Sequence, residues 1–305
     1  MRRKLFLFFF FGTLSILCLL LLRFPAQAGA LAANGLTLWF SKMIPALFPF
    51  MILSGLFLST GFSNLLARLA APVLQPVFQT TEACLFCILT GFFCGFPMGA
   101  RVCAQSLQQK KISRREASWL LAFINNIGPV YFSGLCPDAV SGAYSADGSG
   151  LVCICCRFCT ELCCGTRSTA ICRRKSVSRV FVPASVRCQA NTPASPTGTP
   201  LSSACLLSAL HESILSAMNG IAQLGGYMVF FNLLNLFPTV FLAAYPAFMR
   251  TLSPLLEITN GLSMLLPSER LWAYIVLPFG GLCCIAQTAS CIHKNRAVAE
   301  IVHLS

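Results

Sequence analysis

Charge is scarce in this chain. Asp, Glu, Lys and Arg make up 10% of its 305 residues, where a soluble domain carries about 25%. Acids are the scarcest, nine against 22 Lys and Arg, and histidine occurs three times. Two of those histidines, His293 and His303, lie near the C-terminal end, so a histidine-based active site is not expected. There is no Walker loop. No GxSxG stands at a strand-to-helix elbow, because no soluble α/β region exists to carry one. Neither an enzyme activity nor a cofactor is expected.

Apolar residues take the place of the missing charge: 56% of the chain is hydrophobic, with a mean hydropathy of +0.74. Several runs meet the spanning length of about 20 residues, which makes this an integral membrane protein with the lipid bilayer as its first partner. The net charge of +13 does not point to nucleic acid. Its Lys and Arg gather at the N-terminus, in one loop and in the cysteine-rich middle, and basic loops of a membrane protein mark the cytoplasmic side. No nucleic-acid partner is expected.

The N-terminus, MRRKLFLFFFFGTLSILCLLLLRFPAQAGA, has a basic start, an apolar run and a small-residue end, as a secretory signal does. The apolar run, residues 5–22, exceeds the usual 7–15 of a signal core, and further spans follow. Residues 1–34 therefore read as an uncleaved transmembrane helix with Arg2, Arg3 and Lys4 in the cytoplasm, a cleaved signal being the lesser reading. GLTLWFSKMIPALFPFMILSGLFL (35–58) is long enough to span, but Pro45 and Pro49 predict a kink or break. SNLLARLAAPVLQPVF suits an interfacial segment. The next apolar stretch, 83–100, ends in Gly91, Gly95, Pro97 and Gly99, before the basic loop QQKKISRREAS. A full third span would place that loop outside. The parity is repaired if 83–100 is a re-entrant hairpin turning at its glycines and proline. WLLAFINNIGPVYFSGL (119–135) is another apolar segment, and the membrane pattern resumes at Cys205.

Two pairs of stretches suggest related halves, the second match needing gaps. IPALFPFMILSGLF (44–57) lies over IAQLGGYMVFFNLL (221–234), and FCGFPMGA (93–100) over FGGLCCIA (279–286), in the same order. Short hydrophobic segments interrupted by Gly or Pro at corresponding places point to a substrate site in transporters built from repeats.

LWFSKMIPALFPFMILSG, GFFCGFPMGA, INNIGPVYFSG, ALHESILSAMNGIAQLGGYMVFFNLL, EITNGL and FGGLCCIAQTAS together resemble the YlbJ-type sporulation integral membrane proteins. That family is part of the wider group carrying the "nucleoside recognition" or Gate domain. The resemblance covers about 35–135 and 206–291. It implies a polytopic inner-membrane protein of spore-forming bacteria, required for sporulation, with a transport-like architecture for an unidentified small solute. The expected fold is all-α, with two Gate-like repeats of broken or re-entrant helices at 35–135 and 206–292. A membrane scaffold of a spore-assembly complex is the alternative, and a ferrous-iron permease-like component the weaker one. Homo-oligomerisation is compatible with all three.

Candidate site residues follow from polar groups and breaks inside apolar segments. Asn125 and Asn126 lie beside the break at Gly128–Pro129 and would line a path or bond helices together. Gly95, Pro97 and Gly99 can free backbone groups for a solute, or allow close packing. His211 and Glu212, followed by Asn219, would relay a proton, hold a cation or cap a helix. Glu257, with Asn260 and Gly261 in LLEITNG, needs a partner or water.

Of the 18 cysteines, six lie in GLVCICCRFCTELCCGTR (150–167). Adjacent pairs without turn residues fit zinc badly, and no metal site is expected. Basic flanks at Arg173, Arg174 and Lys175 argue against an extracytoplasmic disulfide region. Cysteine codons read out of frame become Leu, Met or Val codons, so the cluster also reads as a frameshifted leucine-rich helix. On that reading 136–205 is an irregular insert and the tail 293–305 is aberrant.

Overall fold

The computed structural model describes residues 2–125, 128, 203–277 and 279–293. The cysteine-rich insert, the tail beyond His293, Asn126 and Pro129 lie outside these. The described residues are helical with no strand, as expected of an all-α membrane protein. The helices are α1 (Arg2–Arg23), α2 (Pro25–Leu38), α3 (Ile44–Thr60), α4 (Phe62–Phe78), α5 (Glu82–Cys94), α6 (Met98–Gln108) and α7 (Arg114–Leu121) in the first part. In the second they are α8 (Ser203–Leu234), α9 (Leu236–Phe241), α10 (Pro246–Leu256), α11 (Ile258–Ser263), α12 (Arg270–Val276) and α13 (Gly281–His293).

The prolines at 45 and 49 do not break their segment, contrary to expectation. Pro25–Thr60 is one apolar helix of 36 residues, about 54 Å long. A π-turn, Trp39–Met43, joins α2 to α3, and the Ile44 N–H reaches back to Trp39 O. Such a turn widens the ladder just ahead of Pro45, which has no N–H to give and whose ring would crowd the carbonyl of Ser41. The helix ends at Gly61, whose φ of 78° suits a left-handed cap. Gly226, aligned with Pro49 in the repeat, lies inside an unbroken α8.

By length and composition two helices can cross a membrane, Pro25–Thr60 and Cys205–Phe241, or three if the bent pair α4–α5 counts as one span. Phe10–Arg23 and Gly281–Cys291 are shorter apolar helices. The two long helices run antiparallel. A β-carbon on Gly35 would stand 3.1 Å from Asn232 Nδ2, and one on Gly55 3.2 Å from Ser213 Oγ. The Trp39 ring lies over Gly225, and its Nε1–H donates to Ile221 O at 2.9 Å. Small residues here let backbones approach, which is how helices associate where lipid removes the hydrophobic drive. These are the helices that the repeat aligns.

Breaks occur elsewhere. α4 and α5 meet at 93°. α4 leaves Leu65, Leu69 and Val73 exposed and buries Ala67 and Phe78. α5 and α6 form a hairpin turning at Gly95–Pro97, where the re-entrant reading of 83–100 puts the turn. Ile124 and Gly128 lie against this hairpin: a β-carbon on Gly91 would meet Ile124 O at 2.7 Å, and one on Gly128 would meet Gly95 N at 2.6 Å. α10 stops at Glu257, which is extended (φ −137°, ψ 113°), and α11 restarts at once. The turn before α13 uses Gly280 and Gly281, with φ of 73° and 76°.

Candidate functional site

Two buried polar clusters occupy the breaks. The first is centred on Glu257. Its side chain is 1% exposed, and it caps α11 by accepting from Thr259 N–H at 3.1 Å and Asn260 N–H at 2.7 Å. Asn232, fully buried on α8, offers Nδ2 to the same carboxylate at 3.4 Å and to Met228 O at 2.9 Å. Asn260 Nδ2 donates to Asn232 Oδ1 at 2.7 Å. Gly35 leaves the space in which Asn232 turns inward. Gly261 packs on the backbone of Pro254, so α11 can fold back on α10 only with hydrogen at that position. A carboxylate buried in a bundle is costly unless donors surround it, and here the start of α11 and Asn232 supply them.

The second cluster joins α6 to α13. Asn125 Oδ1 accepts from Ala100 N–H at 3.1 Å, one of the donors that the start of α6 leaves open. Its Nδ2 donates to Thr288 Oγ1 at 3.2 Å. Gly99 is required here: a β-carbon on it would meet Ile124 O at 2.5 Å and Asn125 Oδ1 at 3.2 Å. Gly99 therefore serves close packing. α13 connects the clusters, since Gly281 at its start packs against Pro254 O and Ile258 N beside Glu257 and Thr288 meets Asn125.

Asn125, Gly95, Pro97, Gly99 and Gly128 thus come together at one hairpin, and Glu257, Asn260 and Gly261 at the other break. His211, Glu212 and Asn219 do not join either: all three lie on the exposed face of α8. The opposite face carries Ser213 and Ala217, which are buried. Asn126 and Pro129 are outside the described residues.

Sequence reasoning passed over Asn232 and Arg101. Asn232 sits among apolar residues in YMVFFNLL, and a single amide there gives no periodic signal. Arg101 lies just past the 83–100 stretch and belongs to none of the motifs read from the sequence. Its guanidinium reaches α8, where Nη2 donates to the Ser216 carbonyl and to Ser216 Oγ at 2.9 Å, against the bare surface of Gly220. Gln105, one turn on, also reaches Ser216 Oγ, at 3.4 Å. Arg101 Nε and Gln105 Oε1 are buried without a hydrogen-bond partner among the described residues. No group of three or more His, Cys, Asp or Glu side chains among the described residues is placed to hold a metal ion.

An all-α chain with long apolar helices, packed through glycines around buried polar breaks, is an integral membrane protein. Over 110 residues, 36% of this chain, it is 32% identical to the "Sporulation integral membrane protein YlbJ" of Bacillus subtilis (strain 168), a likeness that supports a YlbJ-type assignment. The match spans 27% of that relative's length, so the chain covers about a quarter of the curated protein it resembles. No family model matches the chain, and no solved structure matches it.

Proposed function

We propose that the chain is a sporulation-associated, multi-pass protein of the bacterial inner membrane. It provides a transporter- or channel-like path for a small solute along the seam between α6 and α13. One observation carries this reading. The segments aligned by the internal repeat, 93–100 and 279–286, each hold a turn and the first residues of the following helix, and the two stand side by side. Gly95 and Gly281 correspond in the alignment, and both adopt positive φ, 69° and 76°. Asn125 bridges the two helices that follow. Paired helix starts at corresponding breaks are where repeat-built transporters bind solute. On this reading the halves are Gate-like repeats.

Complementation of a sporulation-defective strain tests it. Asn125→Leu and Glu257→Ala should abolish sporulation while membrane insertion, followed by fractionation, stays normal. A scaffold would tolerate both changes and respond instead to changes on lipid-facing or loop surfaces.

A further inference from the structure

We propose that Glu257 is a proton-binding site inside the bundle, which takes up and releases H⁺ with the surrounding helices unmoved. Every element packed around the carboxylate is uncharged. α8 presents Asn232, α2 presents Gly35, α10 presents Ser253 and Pro254, and α13 presents the thiols of Cys283 and Cys284. No Lys, Arg or His among the described residues is within ion-pair distance of Glu257, whereas Arg250 on the same helix hairpin is already paired with Glu269 at 3.0 Å. Among the described residues no side-chain cation balances the carboxylate, which leaves that role to a proton.

The donor set fits both charge states. Thr259 N–H, Asn260 N–H and Asn232 Nδ2 can only donate, and they orient and hold the carboxyl group. The Thr259 hydroxyl also bonds it. A hydroxyl can donate or accept. It donates to the carboxylate. When aqueous H⁺ adds to a carboxylate oxygen, an O–H bond forms, the charge goes to zero, and that O–H can donate to Thr259 Oγ1 by rotation of two hydrogens alone. Release reverses the step and returns H⁺ to water. A carboxyl serving only as a helix cap would need no reversible partner. If the solute path proposed above operates, this site lies one helix from it, across α13, and proton uptake there would supply its driving force.

The test is infrared difference spectroscopy of the full-length protein in nanodiscs as pH is varied. A carboxylic-acid carbonyl band should appear on acidification, vanish in Glu257→Gln and persist in Glu212→Gln, whose carboxyl is exposed. Asn232→Leu removes a donor to the charged form and should move the band's midpoint upward by about one pH unit. If Glu257→Gln does not fold, this second variant decides, and an unmoved midpoint overturns the proposal. So does a spectrum in which Glu257→Gln removes no band, or a band that follows Na⁺ at constant pH. No solute enters these measurements, so their failure is separate from failure of the complementation assay.

Discussion

The ring of Phe96 lies 3.0 Å from where a β-carbon on Gly280 would stand. One residue belongs to the α5–α6 turn and the other to the turn before α13, so this contact sets how closely the two hairpins approach. Gly280→Ala meets both a positive φ of 73° and the Phe96 ring. The left-handed backbone alone costs about 1–2 kcal/mol for a residue with a β-carbon, and overpacking adds about 1–3 kcal/mol. Thermal unfolding in detergent should show the loss, and Phe96→Leu in the same chain should restore part of it. No restoration would mean that the ring is not the obstacle.

Asn125→Ala should destabilise the protein by about 1–3 kcal/mol, because the Ala100 N–H loses its acceptor at a buried helix start. Thr288→Val removes only the other half of the bridge and should cost less, about 0.6 kcal/mol, as side-chain bonds between membrane helices do on average. Chemical denaturation of the two variants ranks them, and equal losses would contradict the capping role.

Arg101→Met separates stability from function. Among the described residues the guanidinium is held by Ser216, and its Nε has no partner. Among the described residues no carboxylate pairs with this half-buried guanidinium, so an apolar side chain of similar volume removes a desolvation cost without breaking an ion pair. The variant should unfold no earlier than the parent and yet fail to complement sporulation. A stability loss with sporulation intact would assign Arg101 to packing.

Arg250 and Glu269 form a two-pronged pair at 3.0–3.2 Å, with side chains 21% and 19% exposed. Hydrogen bonds from Arg250 hold the Glu269 carboxyl below its ordinary value. The stabilisation it gives is full above the ordinary carboxylate range and fades as pH falls through the lowered value. Melting temperature against pH should therefore show a decline on the acid side that is shallower in Glu269→Gln. Identical profiles would show the pair to be inert, as many exposed pairs are.

Much of the architecture is legible in the residues. Apolar runs with few charges can only be membrane helices, because lipid leaves backbone groups no other partner. The hairpin at Gly95–Pro97 was also legible, since glycine and proline there exclude a continuous helix. Pro45 misled for a physical reason: the π-turn just upstream widens the ladder where its ring would clash, and local sequence does not announce such a turn. His211 and Glu212 stood out as ionisable groups in an apolar setting, but composition does not say which face of a helix is covered.

The sequence by itself determined the membrane class, the helical content and the turn at Gly95–Pro97. Tertiary structure alone decided that Asn232 completes the shell of Glu257, that Arg101 turns into the bundle, and that Phe96 meets Gly280. Hydropathy and backbone propensity act along the chain and are written in it. A hydrogen bond between residues 232 and 260, or a ring against a distant glycine, exists only once two helices have packed at a particular rotation and depth.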